Sequence, residues 1–128
     1  MEQNPTFKAP PYGNFSTGEI PIVQKLYEFY RELHTAILIF PKVDKHTLGL
    51  TLQSKTLQLI ELIFLASRKV GSAKKGELEA ANSVLDLLKL LVRLSCETKD
   101  INERKYIILQ SHLQEVGKML GGWLRSLN

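Results

Sequence analysis

The chain has 128 residues, 44% hydrophobic and 23% charged, which is enough for one domain with its own core and leaves little room for a second. Its longest apolar runs, residues 36–40 and 62–66, are far shorter than the roughly 20 residues of a membrane-spanning helix, so we exclude a membrane protein. The net charge of +4 is compatible with binding to phosphate backbones, although a well-solvated surface is the simpler explanation.

The N-terminal region predicts no regular structure. Residues 1–18 contain three prolines and two glycines without any periodicity, so we expect an extended tail before a helical body over residues 19–128. A partner could bind the Pro-Pro-Tyr phrase at residues 10–12, but a plain disordered terminus is the simpler interpretation. The first residues do not resemble a signal peptide, and the single cysteine, Cys96, favours a reducing cytoplasm.

The first predicted helix extends from about Ile20 to Ile39. Pro21 is suited to its first turn, and Pro41 ends it. Apolar residues that recur at steps of three or four form one stripe along it: Ile22, Leu26, Phe29, Leu33, Ile37 and Phe40.

The second and third predicted helices follow with short connections. The second extends from about Lys45 to Val70, with Asp44 as its N-cap and Gly71 as its stop. The third extends from about Lys75 to Cys96.

The fourth predicted helix begins after Asn102, a favourable N-cap, and Ile101 and Tyr106 have the spacing of a hydrophobic staple. Its stripe consists of Tyr106, Leu109, Leu113, Val116, Leu120 and Leu124. No segment alternates with a period of two, so we expect an all-α protein. Short connections between long helices predict an antiparallel up-down-up-down four-helix bundle.

Two of these helices have more apolar surface than one stripe requires. Between Val84 and Leu94 of the third helix only Asp86, Lys89 and Arg93 are polar, and residues 57–66 of the second are similar. Large exposed apolar patches are rare on soluble monomers, so we expect a homo-oligomer. The alternative is a monomer with these helices at its centre.

The sequence contains no pattern typical of an enzyme. The three histidines, His34, His46 and His112, lack the Glu-x-x-His spacing of a di-iron bundle, and Cys96 has no neighbouring cysteine. Phosphate-binding glycine loops and nucleophile elbows are also absent. We therefore predict no catalytic residue, no metal site and no cofactor.

The basic residues are the stronger candidates for function. One group surrounds the second turn and contains no acid: Arg68, Lys69, Lys74 and Lys75. Lys42 and Lys45 lie at the opposite end of the bundle, and Lys89 and Arg93 lie four apart on one face of the third helix. For the turn group a solvated surface is the simpler interpretation. Lys89 and Arg93 sit among apolar residues and suggest a carboxylate or phosphate partner, or an ion pair between Lys89 and Asp86.

Three glycines near the C-terminus are unexpected within a helix, because each interior glycine lowers helix stability by about 1 kcal/mol relative to alanine. Gly117 and Gly121 share a face, and Gly122 is followed by Trp123. We interpret these four residues as a packing surface for a neighbouring helix or subunit. A helix that bends or frays is the alternative.

The segments FPKVDKHTLG at residues 40–49 and EVGKMLGGWL at residues 115–124 resemble the accessory variability determinant (Avd) proteins of diversity-generating retroelements. The similarity spans about residues 22–128 and is most specific at Gly-Gly-Trp. It implies a homopentameric barrel of four-helix bundles without a catalytic role. It also implies binding to the retroelement's reverse transcriptase and template RNA, with Lys89 and Arg93 in the position of a basic pair that engages the polymerase.

Two functions therefore remain open. The first is an accessory subunit that binds a reverse transcriptase and RNA, with DNA as a further candidate. The second is a scaffold that binds only proteins, in which the positive charge serves solvation. Binding to generic RNA distinguishes the two.

Overall fold

The computed structural model describes residues 15–16 and 18–127, and every regular element in this part of the chain is a helix. Four of the helices are long, and a short helix with a π-helical turn precedes the second long one. In chain order the elements are α1 (Ile20–Leu38), α2 (Lys42–Asp44), the π-helical turn (Lys45–Gly49), α3 (Leu50–Ser67), α4 (Gly71–Glu97) and α5 (Glu103–Ser126).

The four long helices form a four-helix bundle, as predicted. Helix α1 packs against α3 and α5, and α4 packs against the same two helices, so the four close into a ring. Along the seam between α1 and α5, Lys105 contacts Glu32 and His112 contacts Glu28, which shows that these two helices run antiparallel.

The core is built from the apolar stripes that the sequence predicts for α1 and α5, together with one stripe from each of α3 and α4. Its largest fully buried side chains are Leu26, Phe29, Leu33, Leu52, Leu59, Ile63, Leu78, Leu85, Leu88, Leu109, Leu113 and Leu120. Burial of each such side chain stabilises the fold by about 1.5–3 kcal/mol before the entropy of ordering the chain is counted.

The start of α5 agrees with the sequence prediction. The side-chain Oδ1 of Asn102 accepts a hydrogen bond from the backbone N–H of Lys105, at 2.8 Å. Ile101 is buried, and Tyr106 packs partly against the core. The cap satisfies a backbone donor that the helix itself leaves unpaired, and the two apolar residues fix the angle at which the chain enters α5.

The predicted start of the second helix, at Lys45 with Asp44 as N-cap, was wrong. Helical backbone begins at Lys42, Pro41 occupies the N-cap position, and Asp44 makes no capping hydrogen bond. The π-helical turn follows and ends at the buried Gly49, where a β-carbon would lie 3.1 Å from Cγ2 of Ile37. The glycine lets this turn approach α1 closely, which is a tertiary contact that local sequence signals do not contain.

The predicted boundary between the second and third helices was also wrong. Helix α3 ends at Ser67 rather than Val70, and Gly71 is the first residue of α4 rather than a stop. Gly71 has φ +62°, a left-handed conformation that glycine adopts without strain, and it turns the chain directly into the next helix. Lys74 and Lys75 therefore lie in the first turns of α4 and not in a loop.

Apolar side chains remain uncovered on both helices where the sequence predicts a surplus. Leu57 and Phe64 of α3 are 52% and 42% exposed, and Leu90 and Leu94 of α4 are 63% and 43% exposed. The predicted second apolar face is thus present on both helices of the single chain.

The predicted extended tail lies mostly outside the described residues, and this includes the Pro-Pro-Tyr phrase. Among the residues before α1, Phe15 packs its ring edge-on against Phe64, with 6.2 Å between centroids. The chain therefore enters the bundle across the outer face of α3.

Candidate partner and nucleic-acid surfaces

Lys89 lies on the seam between α4 and α5 and is partly buried. Its ammonium group would be 3.4 Å from a β-carbon at Gly117, and its backbone carbonyl accepts a hydrogen bond from Nε2 of Gln110 at 2.9 Å. The alternative partner, Asp86, is exposed, and Lys89 forms no ion pair with any of the described residues, 15–16 and 18–127. A lysine can pack its stem along the apolar seam and keep its ammonium accessible, so this position can offer an unpaired positive charge to an external anionic or carbonyl partner.

Arg93 lies one turn further along α4 and differs from Lys89. Its Nε donates to Oε1 of Glu97 at 2.9 Å, and both side chains are largely exposed, at 70% and 60%. Such exposed pairs contribute only about 0.3–0.5 kcal/mol, so the guanidinium group can exchange Glu97 for another anion at small cost.

The basic turn (Arg68, Lys69, Lys74 and Lys75) lies at the end of the bundle where α3 ends and α4 begins. Lys69 pairs with Glu77, while the guanidinium of Arg68 covers the ring of Phe64 at 5.0 Å from its centroid. The ammonium of Lys74 lies 5.5 Å from the centroid of the Trp123 ring. In the described chain Glu77 neutralises Lys69, whereas the contacts of Arg68 and Lys74 are with aromatic rings and leave their charges uncompensated.

Lys42 and Lys45 lie at the opposite end, beside a pair of carboxyl groups that the sequence did not reveal. Nζ of Lys45 donates to the carbonyl of Leu38 at 3.3 Å, and Lys42 is exposed. Asp100 is only 6% exposed, its Oδ2 accepts a hydrogen bond from Thr98 at 2.9 Å, and burial, followed by the nearby Asp44 carboxyl group, raises its pKa. These acids offset part of the positive charge, so the end with the basic turn is the more favourable for polyanions.

The three glycines of α5 have different surroundings. Gly117 faces α4, where a β-carbon would contact Leu85 and Lys89 at 3.5 and 3.4 Å. At Gly121 and Gly122 the only neighbours would be the guanidinium nitrogens of Arg125, at 3.3 and 3.8 Å. Gly117 therefore allows close helix packing within the bundle, whereas the other two leave open backbone under Arg125.

The sequence model of the bAvd-like family matches residues 20–127, from the first residue of α1 to one residue beyond α5. The chain belongs to the bAvd-like family. No curated protein sequence matches it significantly. Membership confirms the resemblance seen in the sequence and indicates an accessory role in a diversity-generating retroelement; the Avd-like family is non-catalytic.

The Avd-like bundle also contains a charged seam between α1 and α5 that sequence reasoning missed. Nζ of Lys105 donates to Oε2 of Glu32 at 2.8 Å, and this hydrogen bond lowers the pKa of Glu32. His112 lies 3.9 Å from Glu28, and burial, followed by repulsion from Lys25, lowers the pKa of His112. The partners are about 70 or more positions apart in sequence, so no local motif predicts them.

A second missed feature is an aromatic groove between α1 and α3. Tyr27, Tyr30 and Arg31 line it from α1, and Leu57 and Ile60 from α3, around about 310 Å³. Tyr27 and Tyr30 share one helical face, which is the only signal that the sequence offered.

Within the described part of this Avd-like chain, no group of three or more metal-ligating side chains comes together. Among the same residues, no helix is long and apolar enough to cross a membrane.

Proposed function

We propose that this Avd-like protein is a non-catalytic accessory subunit that binds the reverse transcriptase of its retroelement and the template RNA during mutagenic cDNA synthesis. The single observation that carries the proposal is Lys89, a partly buried cation without an ion-pair partner in the described chain. Family membership makes the polymerase the first candidate for the missing partner.

The surroundings of Lys89 suit a protein partner better than nucleic acid alone. Arg93 lies one turn away on the same face of α4, and its guanidinium is held only by the exposed Glu97. Arginine is enriched in protein–protein interfaces, where its planar group can pair with a carboxylate and pack against side chains at the same time. We therefore assign the polymerase to this part of α4 and the RNA, or DNA, to the basic turn.

The proposal includes assembly into a homopentamer. Leu57, Phe64, Leu90 and Leu94 provide uncovered apolar area on two helices, and another copy of the chain is the simplest cover. Five copies, each with a net charge of +4, would carry about +20 together, and a polyanion would bind such a ring strongly.

The test is capture of the reverse transcriptase by the double variant Lys89→Ala with Arg93→Ala. We expect an unchanged fold and about tenfold weaker capture, because Lys89 loses a desolvated contact and Arg93 an exposed one. The matched control, Lys55→Ala with Arg104→Ala, removes two positive charges from α3 and α5 and should capture the polymerase as the wild type does.

Equal capture by both double variants would contradict the assignment of the polymerase to α4.

Filter binding with generic RNA then addresses the second partner. We expect affinity to fall by an order of magnitude or more between roughly 50 and 200 mM salt, because bound phosphates release counterions. Absence of RNA binding at low salt would remove the RNA part of the proposal.

The aromatic groove supports a second candidate, a scaffold that binds only proteins. Its walls are mainly apolar, and Tyr27 and Leu57 are 42% and 52% exposed. In this alternative the cations serve solvation, and generic RNA does not bind at any salt concentration.

A further inference from the structure

A cavity of about 430 Å³ lies at the end of the bundle that carries the basic turn, between the starts of α1 and α4 and the end of α5. Its apolar wall consists of Trp123 and Met119 from α5 and Ile22 from α1. Ser126 and Glu19 lie on its polar rim. This volume is in the range of pockets that hold small organic groups.

Lys74 places a positive charge beside the aromatic wall of this cavity. Its ammonium lies 5.5 Å from the centroid of the Trp123 ring, and in the described chain it forms no hydrogen bond or ion pair. The ammonium lies over the indole face, but the lysine side chain is flexible, so a planar ring can take its place on Trp123 while the ammonium pairs with an adjoining anion.

The charges around the cavity are mainly positive. Among the residues that the structure describes, Glu19 is the only carboxylate that lines it, and its Oε1 already accepts a hydrogen bond from the backbone N–H of Ser16 at 2.8 Å. The nearby last turn of α5 carries Arg125, while Glu77 of α4 is engaged by Lys69. An anionic ligand therefore finds more attraction than repulsion here.

We propose that this cavity binds one unpaired nucleobase of single-stranded RNA, stacked on the indole of Trp123, with the adjoining phosphate on Lys74. The proposal rests on the RNA binding proposed above. It adds where the RNA binds and that the bound RNA is single-stranded. A planar base packs against the apolar wall of the cavity, and its phosphate faces the cations of α4. Bases inside a duplex are already stacked and paired, so duplex RNA would have to give up those contacts to enter.

The experiment uses the intrinsic fluorescence of the full chain, because Trp123 is its only tryptophan. Short oligouridylate, a blunt RNA duplex and inorganic polyphosphate are titrated at equal phosphate concentration. We expect oligouridylate to quench the fluorescence in proportion to binding. The duplex and polyphosphate should bind through charge and leave the fluorescence nearly unchanged.

Variants separate the ring from the cation. Trp123→Leu keeps an apolar side chain and should weaken oligouridylate binding by about tenfold, whereas Trp123→Phe should retain most of the affinity. Lys74→Gln should weaken binding several-fold, and its matched control Lys118→Gln, at an exposed lysine of α5, should have a smaller effect. Should Trp123→Leu fail to fold, the wild-type titration and Lys74→Gln still decide the question.

Oligouridylate binding without quenching, and with unchanged affinity in Lys74→Gln, would overturn this inference and leave the proposed RNA binding intact. Equal quenching by polyphosphate would overturn it as well, because a base would not be needed. If none of the three polyanions binds, both the inference and the RNA part of the proposed function are wrong.

Discussion

His112 is the clearest pH-sensitive residue of the described chain. It faces Glu28, Glu32 and Lys25 of α1, and burial lowers its pKa from the ordinary value of 6.5. The folded protein thus keeps this imidazole neutral at a pH where the unfolded chain already binds a proton. Its contribution to stability is complete above about pH 6.5 and is lost as the pH falls through the folded-state pKa.

We therefore expect the free energy of unfolding in urea to decrease between about pH 7.5 and pH 5.5, and His112→Gln to flatten this dependence. His34→Gln, at an exposed histidine of α1, is the control and should keep the wild-type slope. The same slope in His112→Gln would show that another group causes the pH dependence. Glu32 contributes only at lower pH, since its pKa is lowered from 4.5.

The candidate residues on α4 could be identified from the sequence, but their surroundings could not. Lys89 and Arg93 were identified because they interrupt an apolar run. The sequence did not reveal that Lys89 is partly buried and Arg93 exposed, because these surroundings depend on Gly117 across the seam and on Glu97 one turn away. The contact between Lys74 and Trp123 joins residues from α4 and α5, and no periodicity brings such a pair together.

Helix α1 and the start of α5 were predicted almost to the residue, since each combines one apolar stripe with a clear start or stop signal. The helix boundaries within residues 41–49 and 68–75 were not predicted correctly. At Gly71 the same glycine can end one helix or begin the next, and a connection of three residues leaves no other signal to decide. The π-helical turn arises from packing against α1 and has no local signature.

The close packing of Gly49 against α1 leads to a testable prediction about the π-helical turn. A β-carbon there would lie 3.1 Å from Ile37 and 3.5 Å from Phe40, both buried, so Gly49→Ala should destabilise the fold by about 1 kcal/mol despite alanine's higher helix propensity.

Gly76 of α4 is the matched control for this substitution. No atom lies within 4 Å of its added β-carbon, so Gly76→Ala should stabilise the fold by up to about 1 kcal/mol. Chemical denaturation measures both variants. A stabilising Gly49→Ala would mean that the π-helical turn moves away from α1 without cost.

At the scale of the whole molecule, the uncovered apolar faces of α3 and α4 make self-association the central expectation. We expect sedimentation velocity to show an oligomer at micromolar concentration. Leu57→Asp and Leu90→Asp, at side chains 52% and 63% exposed, should each yield smaller species without unfolding, because a buried charge at an interface is costly.

Val70→Asp is the control for these variants, since Val70 is 84% exposed in the connection outside both helices. It should assemble as the wild type does. A wild-type chain that sediments as a stable monomer would contradict the expectation. Dissociated variants should also bind RNA with a weaker salt dependence, because each particle neutralises fewer phosphates.

Both ends of the described chain border the Trp123 cavity, since Ser16 and Gly18 line it from one side and Ser126 from the other. A bulky reporter attached at Ser126 would therefore stand beside this cavity and compete for it. Attachment through Cys96, near the far end of α4, would leave the cavity unobstructed. The same proximity allows a circular permutant of the helical body, in which a short linker joins Ser126 to Ser16 and the new ends lie in the connection between α4 and α5.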